Sequence, residues 1–114
     1  VKEFIVETAR LAGANACPPM ILGVCIGGTF EQAAMEAKRM TAVGLDYENP
    51  DERYRDLEEA CLAEINRLGI GPAGFGGSTT ALSIRICARQ THIASLPVAV
   101  NVCCHASRHA ETEI

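Results

Sequence analysis

Apolar residues at the start of the chain recur at helical spacing: Val1, Phe4, Ile5, Thr8, Ala9 and Ala12 share one side, and Gly13 ends the pattern. Residues 14–19 read as a connector. Met20–Ile26 is a short apolar run without alternation, the pattern of a strand covered on both faces, although periodicity alone leaves a buried helix open. Gly27-Gly28 closes it. Thr29 and Gln32 then form a capping box that starts a second helix, with Phe30, Ala33, Ala34, Ala37 and Thr41 along one side. Residues 44–48 read as a loop. In Asn49-Pro50-Asp51-Glu52, Asn49 is the expected N-cap and Pro50 the first helical residue, with acids in the first turn. Leu57, Ala60, Cys61, Ile65 and Leu68 make that helix's core stripe, and Gly69 its C-cap.

Residues 79–89 alternate, with Leu82, Ile84, Ile86 and Ala88 on one face and Ser83, Arg85, Cys87 and Arg89 on the other, as in a half-exposed strand. Residues 96–104 alternate too, with Val98, Val100, Val102 and Cys104 opposite Ala99, Asn101 and Cys103. The order α-β-α-α-β-β predicts an α/β (α+β) domain: helices layered on a small, mostly buried sheet, with residues 1–114 as one domain.

The net charge of −4 and the lack of a Lys/Arg cluster argue against nucleic acid or an anionic membrane as partner. No apolar run approaches the roughly 20 residues of a membrane-spanning helix, and the opening residues do not resemble a signal peptide. A cytoplasmic location is expected. The six cysteines therefore divide into small buried hydrophobes and thiolate ligands rather than forming a disulfide framework.

Among the motifs, the stretch from Gly69 contains a formal G-x-G-x-x-G, but a helix precedes it and a strand follows, the reverse of a dinucleotide-binding turn. Gly77 also occupies the position where a P-loop needs lysine. Gly27-Gly28-Thr29 joins a strand to a helix N-terminus, and is either an ordinary turn or an anion site built from free N–H donors. Cys17 is held out of the preceding helix by Pro18-Pro19. Cys103 and Cys104 point to opposite sides of a strand, so one of them at most faces a given site. Cys17, Cys104, His105 and His109 are conceivable zinc ligands, against a solvated C-terminal tail. His92, in the turn between the last two strands, is by default a surface imidazole.

Taken together, Ala16-Cys17-Pro18-Pro19, Gly23-Val24-Cys25-Ile26-Gly27-Gly28-Thr29, Leu68-Gly69-Ile70-Gly71-Pro72, Gly76-Gly77-Ser78-Thr79-Thr80-Ala81-Leu82, His92-Ile93-Ala94-Ser95-Leu96-Pro97-Val98 and Cys104-His105-Ala106-Ser107-Arg108 resemble, in order and spacing, successive blocks of class I fumarases and the α subunit of L(+)-tartrate dehydratase. That resemblance implies an iron-sulfur hydro-lyase acting on a small hydroxy-dicarboxylate. It implies a 4Fe-4S cluster with Cys17 and Cys104 as two ligands and a third in an upstream Cys-Gln-Asp-Thr-Gly type segment. It further implies Gly27, Gly28 and Thr29 as substrate-binding or cluster-proximal donors, His92 as a catalytic or substrate contact, and a β subunit or domain as partner in a homo- or hetero-oligomer. On this reading residues 1–114 are the C-terminal half of the α domain, inactive alone. Three positions depart from the family pattern: Cys25 replaces a common glycine, Ser78 a common lysine and Thr91 a common arginine. The rival expectation is a structural or subunit-interaction module without metal.

Overall fold

A computed structural model describes residues 1–114. Its elements are α1 (Lys2–Ala12), β1 (Met20–Ile26), α2 (Phe30–Met40), α3 (Glu52–Asn66), β2 (Ala81–Ala88) and β3 (Val98–Val102). This is the expected order, and the sheet runs β2-β1-β3. Placing β1 in the centre explains its unbroken apolar run, because both of its faces are covered and both of its edges are paired. β2 lies parallel to β1, reached through α2 and α3, whereas β3 runs antiparallel on the other side. The segment between β2 and β3 must therefore cross the C-terminal end of β1. The start of β1, the start of β2 and the end of β3 all share the opposite end.

On one face Leu22, Val24, Ile84 and Ile86 pack with Ile5 and Ala9 of α1 and Cys61 and Ile65 of α3. On the other, Cys25 sits under Ala33 and Ala37 of α2, flanked by Cys87 and Ala99. The second face carries small side chains, which lets α2 lie close to the sheet. Gly23 marks the closest approach: a Cβ there would meet the Ala37 carbonyl and come within 2.9 Å of the Thr41 nitrogen. Gly23→Ala should thus cost about 1–3 kcal/mol or more through overpacking, read as a lowered thermal midpoint. An unchanged midpoint would show that α2 shifts freely.

The helix starts show where sequence signals were overridden. Thr29 caps α2 as expected, its hydroxyl accepting from Gln32 N–H at 3.4 Å. At α3 the cap is Asp51, not Asn49. The Asn49 amide is buried and donates instead to the Ile86 carbonyl and the Glu58 carboxylate, at 2.7 and 2.9 Å. Glu58 also accepts from Ile86 N–H at 2.7 Å, closing off the free edge of β2. α3 ends at Arg67 rather than Gly69, because the Asn66 side chain turns back to accept from Thr80 and Ala81 N–H. Leu68 consequently falls outside its core stripe; Ala60 is exposed within the helix, as are Phe30 and Ala34 in α2, where Met40 is buried instead.

β2 departs most from expectation. A register irregularity between Met20 and Ile21 throws Leu82 outward, while Arg85, expected on a solvated face, is only 2% exposed beneath the end of α2. β3 is shorter than predicted, since the chain on either side of it is committed to the two ends of the sheet.

Candidate metal centre and the opposite cleft

Cys17 and Cys104 come from stretches 87 positions apart and meet at the β1 start, β3 end of the sheet. Cys17 stands in the connector before β1, and Cys104 follows β3, whose antiparallel register returns it to that place. His105 joins them: its Nδ1 lies 3.7 Å from each sulfur, and the donor atoms of all three residues fall within 4.8 Å of one another. Both thiols are half-buried and the imidazole is exposed. Arg108 holds the two stretches in place, its guanidinium donating to the carbonyls of Cys17, Pro18 and Pro19.

The neighbouring Cys103 serves the fold. It is buried, its sulfur accepts from Ile21 N–H at 3.2 Å, and its own N–H bonds the Ile21 carbonyl at 2.9 Å. Strand alternation thus separates the pair as expected, Cys103 inward and Cys104 toward Cys17. The Ala106 N–H holds the Cys104 thiol below its ordinary range, with Cys17 acting in the same direction and burial opposing. At Cys87 burial and the adjacent Cys25 sulfur push the thiol up to about 12, as suits an inert interior cysteine. Two thiols and an imidazole converging in this way are donors suited to an iron-sulfur group or to zinc. Of the four conceivable zinc ligands, His109 stays outside: its ring lies against the Ser107 carbonyl.

The other predicted site residues gather at the far end of β1. Gly27, Gly28 and the segment crossing from β2 to β3 frame a cleft of about 590 Å³ lined by Gly28, Thr29, Gln32, Thr91 and His92. Gly27 and Gly28 take positive φ values of 91° and 80°. Their N–H groups are not free, however. Gly27 donates to the Pro97 carbonyl at 2.8 Å and Gly28 to Gln90 at 3.2 Å, so the expected donor pair is consumed in fixing the crossing segment. The unclaimed donors belong to Thr29 at the cap and to Phe30 and Glu31 in the first turn of α2. Thr91 acts in the same way, its hydroxyl donating to the Gly28 carbonyl at 3.1 Å. His92 is exposed, and its Nδ1 accepts from Ala94 N–H at 3.1 Å, so the neutral ring carries its proton on Nε2.

These two groups do not converge within one chain. The seven residues of β1 stand between them, a separation on the order of 20 Å at about 3.3 Å per residue. The family resemblance pointed to Cys17 and Cys104 in one group and to Gly27, Gly28, Thr29 and His92 in the other. It gave no sign of this separation, which follows from the direction of β1.

No helix of the structure is long and apolar enough to cross a membrane. Residues 1–113 match the family model described as fumarate hydratase (fumerase). A Methanocaldococcus jannaschii protein named for the α subunit of L(+)-tartrate dehydratase is 40% identical over 110 residues, covering 96% of this chain and 39% of that protein. The L(+)-tartrate dehydratase α subunit of Escherichia coli K12 is 32% identical over 108 residues, covering 95% and 36%. The subunit of Escherichia coli UTI89 is 30% identical over 114 residues, covering 100% and 38%. The chain therefore spans under two-fifths of the length of these relatives. With a match along nearly all of its length, the chain belongs to the fumarate hydratase family.

Proposed function

We propose that residues 1–114 are part of the α portion of an iron-sulfur hydro-lyase that adds or removes water on a small hydroxy-dicarboxylate, with a β subunit or domain supplying the remainder. The convergence of Cys17 and Cys104 carries this reading, because in a chain of the fumarate hydratase family it brings two thiols from distant stretches to one point. Cys17 and Cys104 hold a 4Fe-4S cluster. The third thiolate, which the family resemblance puts in an upstream segment, comes from outside residues 1–114; within them Cys25, Cys61 and Cys103 are buried and Cys87 is half-buried beside Cys25. Such a cluster, with one iron free of protein thiolate, supplies a Lewis acid for the departing hydroxyl. The work of this chain is to hold the ligands rigidly: Pro18 and Pro19 stiffen the connector, Arg108 clamps it, and the core residue Cys103 anchors the strand end.

His92 and Thr29 contact substrate in this proposal, with Gly27 and Gly28 shaping the turn that presents them. Their distance from the thiols exceeds the length of a four-carbon diacid about threefold, taking about 3.3 Å per strand residue. The cleft therefore serves a metal centre on a second copy of the chain, and each site is shared between two copies. The neutral His92 ring offers an Nε2 proton there.

Iron and acid-labile sulfide in the full-length protein, isolated anaerobically, test the cluster. Close to four of each per α chain is expected for this cluster type. Bound zinc without sulfide would overturn the reading and favour the mononuclear alternative that His105 allows.

A further inference from the structure

Beside the thiol group lies a second feature that the proposed ligand roles leave unused. A cavity of about 280 Å³ opens between the end of α2, the β2 side of the sheet and the segment after β3, lined in part by Thr41, Leu45, Arg85, Cys104, Arg108 and His109. Arg85 and Arg108 contribute to a lining that is otherwise largely apolar and that includes no carboxylate.

Arg85 is the anomaly within it. Its side chain is nearly all buried, its Nη2 has no hydrogen-bond partner, and it takes part in none of the five ion pairs of the chain. Burial lowers its pKa, opposed by the charges of Glu58 and Asp46. Glu58 is already committed to Asn49 and Ile86, and neither acid reaches pairing distance. A buried guanidinium with an idle donor is costly unless an anion meets it. Planar, bidentate carboxylate recognition is what this group does best. Arg85 sits in register with Gly23 on β1, where the backbone of α2 at Ala37 and Thr41 lies directly against the central strand.

We propose that this cavity is a carboxylate-binding site, with Arg85 as its buried anchor and the Cys104 side of the metal centre as its neighbour. The occupying carboxylate belongs either to a free dicarboxylate or to an Asp or Glu side chain from another part of the assembled enzyme. The first source rests on the hydro-lyase reading; the second does not.

The test uses the full-length protein assembled with its partner, and succinate, a dicarboxylate with no hydroxyl to eliminate, followed by calorimetric titration. Arg85→Met is expected to weaken succinate binding about tenfold or more at an unchanged melting temperature if the site takes free ligand. If the occupant is a side chain, the same variant should leave succinate affinity unchanged and lower the melting temperature of the assembly by several degrees. Arg85→Lys keeps the charge but not the fork, and should show the same change in weaker form. It decides the matter alone if Arg85→Met does not assemble. Unchanged affinity together with unchanged melting temperature in the assembled variants overturns the proposal. Iron and sulfide content, measured on the same samples, reports separately on the cluster.

Discussion

Cys104→Ser in the full-length, partner-assembled protein is expected to lose its iron-sulfur absorbance and at least about a thousandfold in hydration rate, because it deletes a ligand rather than a supporting contact. Changing a residue that only supports a metal ligand typically costs about 10–100-fold in affinity or activity, and removal of a thiolate should exceed that. A serine hydroxyl is a poor substitute, since it stays protonated at neutral pH and is a harder donor than iron-sulfur centres favour. Cys17→Ser should behave alike, as the two sulfurs approach the same imidazole from separate stretches of chain. The informative control is the adjacent cysteine. Cys103→Ser removes the sulfur that accepts from Ile21 N–H inside the sheet end, so it should lower the thermal midpoint, on the order of 1–3 kcal/mol, while iron content stays near wild type. If Cys103→Ser lost the cluster and Cys104→Ser kept it, the ligand assignment would be wrong. Absorbance near the iron-sulfur charge-transfer bands, iron analysis and turnover assayed with both malate and tartrate read the three variants.

What the sequence made legible follows from how local each signal is. β1 was readable to the residue, because an unbroken apolar run bounded by Pro19 and Gly27 leaves little choice of ends, and the Thr29 cap was readable because it acts within one turn. Asn49 was misplaced because a helix cap and a buried tertiary hydrogen bond compete for the same amide, and only the fold brings the Ile86 carbonyl within reach. Arg85 was misplaced for a related reason. Alternation assigns faces, but it does not say whether a face is solvent or the underside of α2. In the metal centre Cys17 and Cys104 were identifiable through family blocks. The part of His105 was less visible, because its adjacency to Cys104 gains meaning only when the end of β3 turns back toward Cys17. The Gly27 and Gly28 donors looked free because nothing in their own neighbourhood reveals that the chain from β2 to β3 will cross there and take them.

That crossing produces the second large prediction. Active enzyme should be recovered from two inactive variants, His92→Ala and Cys104→Ser, when they are produced together, but not when each is produced alone. His92→Ala by itself is expected to lose about 10²–10⁴-fold in rate as a proton-transfer or positioning group, with the cluster intact because His92 lies at the other end of β1 from the thiols. In a two-fold dimer each site would combine the thiols of one copy with the imidazole of the other. A mixed dimer then holds one site with both groups intact and one with neither. Random pairing makes about half of the dimers mixed, so roughly one quarter of wild-type activity should return. Sites contained within one chain would return nothing, because every chain carries a lesion in its own site. Zero recovery from verified mixed dimers would therefore sink the shared-site reading, and it would leave His92 with a structural role in the crossing segment, where its ring already accepts from Ala94 N–H. Recovery near one quarter would mean that the length of β1, by parting the cleft from the thiols, is what makes this enzyme depend on pairing.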